Sequence, residues 1–147
     1  MVACELNLRE LSRAILLYAE KHDSRLPPAD RWMDAIKPYV RDPKAFRCSH
    51  TPAHLKYSYG FNVHLSGASE SDIPDFSKTI MLYEAVSGLP NAHDDPSRLR
   101  FIDWDRYSAH GHSGGRANFA FADGRVKGIN MWYYEEQLDS GEIRVKP

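Results

Sequence analysis

The chain has 147 residues, 42% of them hydrophobic and 27% charged, which suits one domain large enough to bury a core. Its 19 basic and 20 acidic side chains leave a formal net charge of −1, which excludes a strongly basic nucleic-acid binder. No run approaches the ~18–20 apolar residues of a membrane-spanning helix, and the start Met1-Val2-Ala3-Cys4-Glu5 carries no signal-peptide pattern.

Residues 2–23 read as one helix. Cys4, Leu8, Leu11, Ile15, Tyr18 and His22 recur at steps of four and three, which is one helical face. No capping sequence opens this helix, and Leu26-Pro27-Pro28 is expected to end it, because a residue before proline is pushed out of the helical region. A short second helix is expected over 29–37, with Trp32, Ala35, Ile36 and Tyr39 buried and Pro38 as its limit. Asp42-Pro43 has the form of a capped helical turn leading into Phe46-Arg47-Cys48.

The period then changes to two. Tyr57, Tyr59 and Phe61 alternate with Ser58 and Gly60, so 56–62 reads as a strand. Residues 63–76 read as a loop, and Thr79-Ile80-Met81-Leu82-Tyr83 as the central strand. A polar loop over 87–98 and a short strand over 99–104 follow. Asp123-Gly124 between 117–122 and 125–130 signals a hairpin, expected to have positive φ at both turn residues. Phe119 and Phe121 share one face of it, Asn118 and Ala120 the other. Residues 131–147 read as a short helix or irregular tail, then a small strand over 142–146. The whole is a single α+β domain: a helix over 1–26, a short helix and loop over 27–55, and an antiparallel sheet with long loops over 56–147.

Cys4 and Cys48 form no CxxC pair and lack zinc-finger spacing to any other ligand. They are either two buried thiols or one disulfide from the first helix to a downstream loop. A disulfide implies an oxidising compartment.

Gly111-His112-Ser113-Gly114-Gly115 matches the G-x-S-x-G nucleophile elbow. That motif needs a buried strand before it and a helix after it, and neither flank has that character. His110 and His112, two apart, could join Asp123 in a His/His/carboxylate metal site, the basis for a metal-dependent hydrolase. Calcium on the acids of that region (Asp94, Asp95, Asp103, Asp105) is the other ion to consider, although no D-x-D-x-D-G loop is present. Against both stands the plainer reading of a glycine-rich turn feeding a strand, with no bound cofactor. Glu84, just after the central strand, reads as a partner for a neighbouring basic group. Trp104, Trp132, Tyr133 and Tyr134 read as packing residues, or as a carbohydrate-stacking surface of a binding module.

Four stretches taken in order point to a family: Cys4-Glu5-Leu6-Asn7-Leu8, the helix running to Leu26-Pro27-Pro28, Phe46-Arg47-Cys48, and His112 through Asp123-Gly124-Arg125-Val126. With the Tyr-rich segment 57–62 and Glu84, this order resembles bacterial prepilin-like proteins whose C-terminal part carries a histidine, about nine residues, then Asp-Gly. The chain departs from that pattern in its ten residues between His112 and Asp123, in Ser49 where proline is usual, and in Arg125 where histidine is common.

The resemblance implies a pilin-like fold in which Cys4, Asn7 and Leu8 belong to the soluble half of the long helix. It implies a structural motif that includes Gly114 and Gly115, in which His112 and Asn118 fix a loop and Asp123-Gly124 turns the last hairpin, so His112→Ala should lower the melting temperature without removing any activity. It further implies an apolar segment ahead of Cys4, absent here, with Met1 as an added start. The function implied is a non-enzymatic pseudopilin or minor-pilin-like subunit of a type II secretion or type IV pilus-like machine. Such a subunit is anchored in the inner membrane before assembly, works outside the cytoplasm, and has other pilin-like subunits and the assembly machinery as partners, not nucleic acid.

Overall fold

The computed structural model describes residues 2–99 and 115–147. Helix α1 (Val2–Lys21) comes first, followed by α2 (Trp32–Ile36). The strands are β1 (Tyr59–Asn62), β2 (Ile80–Glu84), β3 (His93–Asp94), β4 (Arg116–Phe121) and β5 (Val126–Asn130), and α3 (Tyr134–Ser140) follows them. The fold is α+β, built on one five-stranded sheet of order β3-β1-β2-β4-β5.

The sheet is mixed, which corrects the all-antiparallel expectation. Pairs β1–β2, β2–β4 and β4–β5 are antiparallel, but β3 lies parallel to β1, with Phe61 opposite His93. The segment read as a polar loop over 87–98 thus supplies an edge strand. Its residues are exposed and lack the alternation that marks a half-buried strand.

Each face of the sheet carries a helical layer. On one face Cys4, Leu8, Leu11 and Ile15 of α1 share a core with Trp32, Phe61, Leu82, Ala120 and Ala122. The two alanines let the helix axis approach the sheet, and each large α1 side chain buried there contributes about 2 kcal/mol. On the other face Phe119, Phe121, Ile80, Tyr83 and Ile129 pack with Tyr134 of α3. Phe119 and Tyr134 stack with ring centroids 5.3 Å apart.

Strand β2 serves both cores through a bulge. Its register shifts between Ile80, opposite Phe121, and Leu82, opposite Ala120. The extra residue lets consecutive Met81 and Leu82 both join the α1 core while Ile80 and Tyr83 join the other.

Several boundaries differ from expectation. Helix α1 ends at Lys21, before Leu26-Pro27-Pro28, because Asp23 and Ser24 adopt positive φ and the Ser24 N–H bonds back to Ala19 O at 2.9 Å. The second helix is a 3-10 turn at Ala29–Arg31, the short α2, and another 3-10 turn at Lys37–Tyr39. Asp42 caps its turn as expected, accepting from Lys44 N–H at 2.9 Å. The 63–76 loop contains 3-10 turns at Val63–Leu65 and Glu70–Asp72.

The strand expected at 142–146 reduces to one parallel bridge, Thr79 with Arg144. Asn62 holds that tail in place: its Nδ2 donates to Ile80 O at 2.8 Å and Val145 O at 2.7 Å. The strand expected over 99–104 lies, apart from Leu99, outside the described residues.

Candidate functional site

The residues singled out by sequence fall into two groups. The first lies where the start of α1 meets the sheet. Cys4 and Cys48 are joined as a disulfide with Cα atoms 5.2 Å apart, and both are fully buried. The same attachment is strengthened by Asn7, whose Nδ2 donates to Arg47 O at 3.0 Å. Leu8 is fully buried one turn further along.

Beneath this end of the helix sits Tyr59, whose hydroxyl donates to Cys4 O at 3.4 Å. Burial pushes its hydroxyl far above the ordinary tyrosine range. The Asn7 side chain works the other way, and the Glu84 carboxylate adds to the rise.

Glu84 is 2% exposed and sits opposite Tyr59 in the β1–β2 register. Its Oε1 accepts the Asn118 N–H at 2.5 Å. Backbone pairing of β2 with β4 runs only to Tyr83 and Phe119, so the carboxylate stands in for the next ladder acceptor. Among the described residues Glu84 is thus placed on a backbone amide; the histidines and arginine of 106–112, which could supply the expected basic partner, lie outside them. The buried Nδ2 of Asn118 has no hydrogen-bond partner among the described residues.

The second group is the hairpin. Gly115 has φ +67° and opens directly onto β4. The turn at Asp123-Gly124 exists, but only Gly124 takes positive φ, at +88°. Gly124 N–H bonds to Phe121 O at 2.9 Å and Phe121 N–H to Arg125 O at 2.8 Å. This is the longer hairpin loop that ends in a left-handed glycine, and it corrects the two-residue turn. Asp123 is exposed, and its Oδ1 accepts from Arg125 N–H at 3.0 Å, a local turn-closing bond.

His110, His112 and Gly114 lie outside the described residues, as do Asp103, Trp104 and Asp105. The His110/His112/Asp123 metal triad, the loop assigned to His112 and the serine elbow fall on that segment. Among the described residues no group of three or more His, Cys, Asp or Glu side chains is placed to hold a metal ion.

One polar constellation went unread in the sequence. His64 Nε2 lies 3.3 Å from Asp95 Oδ2, and Ser97 Oγ donates to Asp95 Oδ1 at 2.7 Å. The carboxylate stands between the imidazole and the hydroxyl, so His64 is bonded to Asp95 and not to the serine. The arrangement pins a turn and does not make a nucleophile. Asp95-Pro96-Ser97 has the sequence form of a capped turn, a signal that could have found it.

Burial would raise the Asp95 carboxyl, but the bonds from Ser97 and His64 outweigh it and hold the group below its ordinary value of 3.8. Glu10 is likewise held below 4.5, chiefly by the Arg13 guanidinium at 2.7 Å. Folded values below unfolded ones mean that this stabilisation is present above the ordinary values and is lost as pH falls through the depressed ones. Melting temperature should therefore fall on acidification below about pH 4.5, and less so in Glu10→Gln. Thermal melts from pH 6 to 2.5 check this, and parallel curves for both proteins would remove Glu10 from the account.

Comparison with known protein families, with curated proteins and with solved structures finds no match for this chain. Among the described residues no helix is long and apolar enough to cross a membrane.

Proposed function

We propose that this chain is the globular part of a pilin-like assembly subunit, of the pseudopilin or minor-pilin kind, acting outside the cytoplasm and carrying out no bond chemistry. The observation that carries the reading is the attachment of α1. Its apolar stripe packs on the sheet, and its first turn is bonded covalently to the Phe46-Arg47-Cys48 segment. A helix fastened in this way transmits load between a stem and a globular head. The buried disulfide supports an oxidising, extracytoplasmic location.

The reading is tested on the native protein by N-terminal sequencing, intact mass and co-purification from membranes. The expected result is an apolar stem ahead of α1, a processed leader, and association with other subunits of the same helix-stemmed kind. A reduced, unanchored cytoplasmic monomer would overturn it. Stoichiometric zinc or calcium in elemental analysis after dialysis would instead favour the metal-dependent alternatives.

One observation favours a second reading, a polysaccharide- or surface-binding module. Trp132 and Tyr133, adjacent in the turn before α3, are 67% and 56% exposed. Neighbouring exposed aromatics suit sugar stacking. A glycan array probed with the protein and its Trp132→Ala variant decides: hits lost in the variant support this reading, and a blank array removes it.

A further inference from the structure

The far end of α1 borders a groove that the assembly reading does not use. Its volume is about 520 Å³. The outward side of α1, residues 70–76 and the tip of the β4–β5 hairpin enclose it.

Leu16 and Leu17 follow Ile15 by one and two residues, so they point roughly 100° and 200° away from the buried stripe. They are nonetheless half-buried, because Ile73, Phe76 and the hairpin tip lean over them. A Cβ on Gly124 would lie 3.4 Å from Leu16 Cδ1, so the Asp123-Gly124 turn forms the groove's wall as well as closing the hairpin.

The rim is charged and unbalanced. Arg13 is its basic member, and it is already bound to Glu10 at 2.7 Å and to Tyr39 O at 2.8 Å. Glu20, Glu70 and Asp123 complete the rim, and none of them has an ion pair among the described residues. A neutral or acidic occupant would cover these carboxylates without a counter-charge, which opposes binding. A basic occupant with an apolar body satisfies both rim and floor.

We propose that this groove docks a segment of a partner protein that presents an apolar side chain beside a lysine or arginine. The volume is that of an ordinary ligand pocket and admits two or three side chains. The proposal stands independently of the pilin-like reading, since it uses only the groove's shape and charge.

The test uses the isotope-labelled chain and two probe peptides, Ac-Gly-Lys-Leu-Phe-Lys-Gly-amide and the same peptide with glutamate for both lysines. The basic peptide should shift the amide resonances of Leu16, Leu17, Glu20, Phe76 and Asp123, and bind about tenfold more tightly than the acidic one. Its affinity should fall by about fivefold between 20 and 200 mM salt. Glu20→Gln with Glu70→Gln should weaken it by about three- to tenfold, with the melting temperature unchanged as a check on folding. Equal binding of the two peptides, shifts confined to another surface, or no binding at millimolar peptide would overturn the proposal. So would a sedimentation result showing that a second copy of the chain fills the groove.

Discussion

Replacing Cys4 and Cys48 together with alanine should lower stability by about 4 kcal/mol and the melting temperature by about 13 °C. The two residues are 44 apart in sequence, and the bond removes the freedom of that loop from the unfolded chain. Apart from the chain itself, no other covalent link joins α1 to the rest of the described structure. Without it the start of the helix keeps the Asn7–Arg47 bond, the long Tyr59 hydroxyl bond to the residue 4 carbonyl and the burial of Leu8, so fraying should begin there. Thermal melts of the wild type with and without reductant check the prediction. Reductant should bring the wild type close to the double variant and leave that variant unchanged. A wild-type melting curve insensitive to reductant under conditions that open the bond would sink the argument.

Glu84→Ala should cost about 3 kcal/mol, whereas Glu84→Gln should cost about 1 kcal/mol. The carboxylate accepts the Asn118 amide where the β2–β4 ladder ends, and the site is 2% exposed. Alanine removes the acceptor, leaves a cavity and strands a buried N–H. Glutamine keeps an oxygen at the same reach. Denaturant titration of the three proteins separates these cases. Equal losses for both variants would show that charge, and not the ladder bond, is what Glu84 supplies.

Both predictions concern residues that the sequence singled out. Cys4 and Cys48 were legible as a pair with two readings, because spacing alone does not bring side chains together. Glu84 was legible as a carboxylate beside a buried strand, but not its bond to a backbone amide 34 residues away. Backbone donors leave no trace in residue type, so this amide could not be read from the sequence.

The stripe Cys4, Leu8, Leu11, Ile15 determined α1 and the face it buries, because helical spacing is a property of neighbouring residues. The same local logic determined the Asp42-Pro43 turn, strand β2 and the hairpin around Asp123-Gly124. Only the tertiary structure decided features that depend on distant chain. Met33 N–H is capped by Asn91 Oδ1 at 2.8 Å, and Trp32 Nε1 donates to Ala92 O at 2.9 Å, so α2 begins where a loop some 58 residues later presents its acceptors. That loop is thereby held close enough for β3 to lie parallel beside β1 and make the sheet mixed. The groove over Leu16 and Leu17 has the same origin. On α1 alone those leucines read as the wrong face of an amphipathic helix, and they are covered only because the hairpin tip and residues 73–76 arrive there. Local pattern governs which backbone form a segment adopts, while burial of a particular side chain is set by whatever the rest of the chain places against it.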